Sequence, residues 1–406
     1  VSLDHQLAHL AANADAIQPP EGLAARLDEG RPLRVKLGLD PTAPAVTLGW
    51  AVVLRKLRQF QELGHTAVLI VGDFTAQVGD PSGKSETRRR LSAGEVRGYA
   101  DALLGQFRKI LLPDALEIRY NSEWLGALDM AAVLELTSKV TVAQMLERGD
   151  FAKRYETGTP ISVMEFMYPL LQGYDSVAVR ADVELGGADQ LWNLMIGRAI
   201  QERYGMRPQV ALTMPLLLGT DGEQKMSQSL GNYIGIDEPA EEMFGKTMSI
   251  PDRLIVPWWR LAVETRPGEV EAIAAGLADG SLHPNDTKRR LARAIAAAYW
   301  GESAAAAAEA AFDRVHRERR APEEVPEYAL PPDDVVFLPT VLRAAGLVES
   351  SAEARRLIGQ GAVRLDGRPV TGPELPRRDL AGRVLQVGKR RFLRLVGGEQ
   401  ESPLRG

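Results

Sequence analysis

The chain has no cysteine, which excludes disulfides, thiolate nucleophiles and cysteine-based zinc sites and fits a cytoplasmic location. Histidine is scarce too, with only His5, His9, His65, His283 and His316. No stretch of about 18 apolar residues runs without a charge, so no membrane span is expected. The opening "VSLDHQLAHLAANADAI" lacks the basic-then-apolar order of a signal peptide and reads as an amphipathic helix.

What remains is ordinary globular protein, 406 residues at 45% hydrophobic and 25% charged, long enough for two or three domains. Charge is unevenly spread. The net charge is −5, but residues 338–406 hold 13 Lys and Arg against 7 Asp and Glu, leaving −11 on the rest. A basic tail on an acidic body suggests a nucleic-acid-binding module, although a solvated charged face gives the same count.

"LRVKLGLD" (33–40) reads as a buried strand, followed by the turn "PTAPAVTLG" and a helix with Val53, Leu57, Phe60 and Leu63 at helical spacing. "TAVLIVGD" (66–73) and "LEIRYN" (116–121) are further strand candidates. Strand, glycine-bearing turn, helix, strand is the pattern of a parallel sheet that binds its ligand at the strand ends. Residues 122–180 turn helical, as an insertion would, and helices dominate after 236. "APEEVPEYALPPDD" (321–334), with four prolines and five acidic residues, reads as a linker.

Three loops could carry chemistry. Gly38, Asp40, Thr42 and Gly49 surround a helix N-terminus, where free backbone N–H groups attract anions. "VGDPSGKSETRRR" (78–90) offers a basic loop able to close over a polyphosphate. "GTDGEQKMSQSLGN" (219–232) sets Lys225 and two serines in a glycine-flanked loop. Each alone is matched by an ordinary polar turn.

Together they are specific. "LGLDPTAP", "GDFTAQVGDPSGKSETR", "YNSEWL", "TVAQMLERGDFAKRY", "YPLLQGYDSV", "ELGGADQLWN" and "KMSQSLGNYI" occur in the order and spacing of one family. The chain resembles the bacterial class I tyrosyl-tRNA synthetases from about residue 31 to 396. The resemblance implies joining L-tyrosine to ATP with release of pyrophosphate, then transfer of tyrosine to the 3′ end of tRNA(Tyr). ATP would arrive as a substrate with Mg2+, with no protein-bound metal or prosthetic group and no membrane involved. Catalysis of that kind needs placement and charge stabilisation rather than a side-chain nucleophile.

By motif position, Asp80, Tyr168, Gln172 and Gln190 would hold the amino acid, with Asp175 accepting from the phenol hydroxyl. Tyr168, Gln172 and Asp175 lie three to four residues apart, so one helix face can present all three. Asp40, Gly49, Trp50, Asp189, Lys225 and Met226 would meet ATP, and Thr42, Thr47, Lys84, Arg88, Lys225 and Gln228 would serve the phosphates and the chemistry. Lys36 stands where some members of the family carry a tyrosine.

The nucleotide signatures depart from the family pattern. His-x-Gly-His reads "TLGW" here, so Thr47 and Trp50 replace both histidines, and Lys-Met-Ser-Lys-Ser reads "KMSQS", with Gln228 for the second lysine. No histidine stands nearby in sequence as a substitute. Two readings therefore stay open: a tyrosine–tRNA ligase with an altered nucleotide site, and a synthetase-derived paralogue binding tyrosine or tRNA with impaired adenylation.

"FLPTVLRAAGLVESSAEARRLIGQGAVRLDGRPV" and "VLQVGKRRFLRL" resemble an S4-type RNA-binding domain, with Arg355, Arg356, Arg364, Lys389, Arg390, Arg391 and Arg394 able to meet phosphates and Phe392 either core or a stacking surface, core being preferred. The expected fold is α/β: an N-terminal helical segment (1–30), a Rossmann-type parallel-sheet catalytic domain (31–235) with a helical insertion, an α-helical domain (236–320), a linker (321–337) and a small α+β S4-like domain (338–406). The family resemblance implies a homodimer formed through the insertion, near 122–180.

Overall fold

The computed structural model describes residues 2–80, 92–316, 325–388 and 391–397. It divides into two compact units, Val1–Gly301 and Glu302–Gly406. The helical run Pro284–His316 changes unit at Gly301, whose φ of 81° and ψ of 163° leave helical geometry. A side chain would resist that positive φ.

The first unit is built on one six-stranded sheet in the order β1-β6-β5-β2-β3-β4. Its strands are β1 (Ala16–Gln18), β2 (Arg34–Leu39), β3 (Thr66–Val71), β4 (Leu116–Tyr120), β5 (Val183–Gly187) and β6 (Val210–Met214). β2 to β6 run parallel, and only β1 pairs antiparallel, at the β6 edge. Burial on both faces explains the nearly continuous apolar runs of β3 and β6, whereas β4, at the edge, alternates Leu116, Ile118 and Tyr120 with Glu117 and Arg119. From β2 the chain winds outward to β3 and β4, whereas β5 returns to the other side of β2 and continues to β6. The crevice between the carboxyl ends of β2 and β5 is thus the topological switch point, where such sheets bind ligands.

The helix Leu48–Glu62 covers the sheet with Leu48, Ala51, Leu54, Leu57 and Phe60. Of its anticipated apolar stripe, Leu57 and Phe60 are central, while Val53 and Leu63 pack at the margin. The segment between β4 and β5 is helical as expected, ending in the long helix Val163–Ala178, which begins with a Ser162–Glu165 capping box.

The second unit holds a five-stranded sheet, β10-β9-β12-β13-β7, and a β11-β8 ribbon. These strands are β7 (Glu327–Leu330), β8 (Val335–Phe337), β9 (Val363–Leu365), β10 (Arg368–Pro369), β11 (Glu374–Pro376), β12 (Val384–Val387) and β13 (Arg391–Gly397). Helices Leu338–Ala344 and Ser351–Gly359 pack with them over Leu342, Val363, Leu385 and Leu395. Phe392 is buried, as a core residue.

The expected linker 321–337 needs correction. β7 lies inside it and pairs parallel with β13, and β8 pairs with β11. Leu330 and Val336 are buried in the core of this unit. The prolines that suggested a linker, Pro331 and Pro332, stand just beyond β7, an edge strand, where a missing N–H breaks no ladder.

Candidate active site

A cavity of about 620 Å³ opens at the switch point. Asp40, Thr42, Thr47 and Asp80 line it from the loops after β2 and β3, and Gly49 and Trp50 from the first turn of the helix Leu48–Glu62. Tyr168, Gln172 and Asp175 enter from one face of the helix Val163–Ala178. Asp189 and Gln190 follow β5, and Lys225, Met226 and Gln228 come from the loop after β6. All the anticipated substrate residues that are described thus meet in one space. Lys84 and Arg88 lie outside the described residues.

At one end sits Asp175, only 3% exposed. Trp124 donates its indole N–H to one carboxylate oxygen at 2.8 Å, and Asn121 donates its amide N–H to the other at 3.3 Å. Burial pushes the Asp175 carboxyl up to about 7, with Lys36 and these donors pulling against it. Asp40 accepts from Thr75 Oγ1 at 2.7 Å and from the Tyr168 hydroxyl at 2.9 Å. Its carboxyl is also pushed up to about 7, chiefly by burial. Gly72 leaves the room for this contact, since a Cβ there would stand 2.1 Å from Asp40 Oδ1. Gln190 donates to Asp80 at 3.0 Å and accepts from Asn193 at 3.1 Å, which fixes its amide.

These two buried acids predict a pH dependence. Each has a folded pKa above its ordinary value, so folding takes up protons. The contribution of these two groups to stability should be lost as pH rises from about 4 to about 7, with nothing further lost from them above. Asp175→Asn should flatten that slope by at most about 1.4 kcal/mol per pH unit, which denaturant melts across the range would measure. An unchanged slope would contradict the assignment.

At the other end, Thr47 caps the helix Leu48–Glu62, its Oγ1 accepting from Trp50 N at 3.3 Å. Trp50 is 39% exposed, an indole left partly bare on the cavity wall. Lys225 Nζ lies 2.6 Å from Asp189 Oδ2. Gln228 does not stand free: its amide donates to the Ala45 carbonyl. Backbone bonds from Leu48 N to Ile234 O and from Ile236 N to Val46 O, both 2.9 Å, lace the two signature segments together. Asn232 braces the second loop, accepting from Ser227 N at 2.9 Å and donating to Asp221 at 2.8 Å. Among the described residues, no histidine lines the cavity.

Asn121, Trp124 and Thr75 are further site residues, through their bonds to Asp175 and Asp40. All lie in quoted motifs, "YNSEWL" and "GDFTAQ", but their partners are distant in sequence. In the second unit Arg355, Arg356 and Arg364 are exposed. Arg391 instead binds the Leu347 carbonyl, and Lys389 and Arg390 lie outside the described residues.

A parallel sheet with a cavity at its switch point, lined by Asp40, Asp80, Asp175 and Asp189, defines an α/β fold of the ligand-binding kind. Residues 28–317 match the family "tRNA synthetases class I (W and Y)", and residues 338–376 match the S4 domain. The chain belongs to this class I tRNA synthetase family. A relative from Moorella thermoacetica, named tyrosine–tRNA ligase, is 52% identical over 394 residues, covering 96% of this chain and 95% of the relative. One of the same name from Thermotoga maritima is 46% identical over 396 residues, 98% of each. The structure of a tyrosyl-tRNA synthetase from Archaeoglobus fulgidus shares the fold with a TM-score of 0.61 at 24% identity, covering 76% of this chain and all of that one.

Proposed function

We propose that the chain is a tyrosine–tRNA ligase, forming tyrosyl-adenylate and pyrophosphate from L-tyrosine and ATP and then esterifying the 3′ end of tRNA(Tyr). The observation that carries this reading is Asp175, buried at one end of the cavity with its two oxygens aligned by Trp124 and Asn121. It accepts from the phenol hydroxyl as well, and a phenylalanine side chain would leave that further acceptor site without a donor. Asp80, Tyr168, Gln172 and Gln190 hold the ammonium group. The tyrosine carboxylate is thereby set to attack the α-phosphorus as the bond to pyrophosphate breaks. Asp40 and Asp189 serve the ribose; Gly49, Trp50 and Met226 flank the nucleoside; Thr42, Thr47, Lys225 and Gln228 serve the phosphates, with Lys84 and Arg88. Mg2+ comes with ATP as its counter-ion.

In the second unit Arg355, Arg356 and Arg364 meet tRNA phosphates, and Lys389 and Arg390 belong to the same basic stretch. The work is done in the cytoplasm without a membrane; no helix among the described residues is long and apolar enough to cross one. Charging of tRNA(Tyr) with labelled tyrosine tests the reading. Tyrosine should be esterified in preference to tryptophan and phenylalanine, and charging with tryptophan instead would overturn it.

The working form is a homodimer through residues 122–180. Supporting this, Met130, Leu134, Val142, Tyr155 and Val163 are each more than 60% exposed, an apolar load for a free surface. Light scattering should give twice the 44.3 kDa chain mass, and Leu134→Glu/Val163→Glu should give the monomer. A monomeric natural chain at micromolar concentration would contradict the dimer.

A further inference from the structure

A buried ion pair lies at the wall of the cavity, with Glu184 among the lining residues and Lys36 behind it. Lys36 on β2 and Glu184 on β5 are neighbours across the sheet, 0% and 1% exposed, with Nζ 2.8 Å from Oε1. The ammonium also donates to Ser176 Oγ at 2.7 Å and to the backbone carbonyl of Gln172 at 2.9 Å, which uses its three hydrogens. Glu184 Oε1 accepts in addition from Gln172 Nε2 at 3.2 Å, and Oε2 accepts from Ser176 Oγ at 3.1 Å and from Gln209 Nε2. Four donors thus fill the lone-pair sites of one carboxylate. A pair buried this deeply is weak evidence for stability, because desolvation offsets its attraction.

Its effect on Gln172 is specific. A carboxylate accepts and does not donate, so Gln172 must turn its NH2 toward Glu184. Its carbonyl Oε1 is then directed elsewhere. That oxygen is buried and has no hydrogen-bond partner, and Gln172 lines the cavity. Gln209 Oε1 is likewise unpaired, but Gln209 does not line the cavity.

We propose that Lys36 and Glu184 form a positioning pair that locks the Gln172 amide so that its carbonyl oxygen, not its NH2, faces the amino group of the substrate. A flipped amide would aim N–H groups at an ammonium and repel it. Glu184 imposes the orientation, and Lys36 cancels its charge. The inference rests on the ligase reading above, since it presumes an amino-acid substrate in this cavity.

The test compares L-tyrosine with 3-(4-hydroxyphenyl)propanoate, which lacks only the amino group, by calorimetry on the full chain. Two variants are needed: Glu184→Gln, whose amide can donate to Gln172 Oε1 and release the lock, and Lys36→Met/Glu184→Gln, which removes both charges and leaves no unpaired ion in the core. The natural chain should prefer tyrosine by about 100-fold or more, and each variant should lose at least about tenfold of that preference. Affinity for the propanoate should move less than about threefold, and KM for tyrosine should rise with kcat nearly unchanged. Variants that keep the full preference, or that lose both ligands equally, would overturn the positioning role. A natural chain that binds neither ligand would overturn the ligase reading itself, a distinct result.

Discussion

Asp175→Asn should lower kcat/KM for tyrosine by about 10³-fold or more and reduce discrimination against phenylalanine from about 10⁵ to about tenfold. The cause is geometric. Trp124 and Asn121 each donate to one carboxylate oxygen, so the acid is already aligned when the phenol arrives. An amide keeps one oxygen and points N–H groups at donors. The pH profile gives a second readout. Below about 7 the natural carboxyl takes up a proton and ceases to be a pure acceptor, so kcat/KM for tyrosine should fall on acidification. Asp40 is pushed up to about 7 as well and acts on both amino acids, so the tyrosine-to-phenylalanine ratio isolates Asp175. In Asp175→Asn that ratio should be flat with pH; a wild-type-like slope would show that another group reads the phenol.

Lys225→Ala should reduce the rate of adenylation by about 10²–10³ while leaving tyrosine affinity within about twofold. With no histidine among the described lining residues, Lys225 is the cation that the second signature loop brings to the nucleotide end. Its Nζ lies 2.6 Å from Asp189 Oδ2, so the proposed role on the phosphates requires it to leave that carboxylate. Stopped-flow fluorescence at saturating tyrosine would separate rate from affinity. Equal losses in both would place Lys225 in the amino-acid pocket instead.

Much of this site is readable from local sequence. The alternation of β2, loop, helix and β3 marks the crevice, and the spacing of Tyr168, Gln172 and Asp175 puts them on one helix face. Thr47 before an apolar helical run is a capping signal as well as a signature position. What local sequence could not reveal is pairing across the sheet. Trp124 reaches Asp175 across 51 residues, and Lys36 meets Glu184 only because β5 returns beside β2. The same limit explains the misread linker: acidic residues and prolines dominated 321–334, whereas Leu330 finds its core only once β7 lies against β13. Gln228 reads as a lost lysine, but its amide still ties its loop to Ala45.

Tyrosine-dependent exchange of pyrophosphate into ATP, measured on the natural chain beside Thr47→His/Trp50→His, tests the central claim most directly. Exchange by the natural chain should depend on tyrosine and be lost in Lys225→Ala. Tyrosine binding without exchange, with exchange restored by the double histidine variant, would contradict it and would make the chain a tyrosine or tRNA binder in which adenylation is switched off.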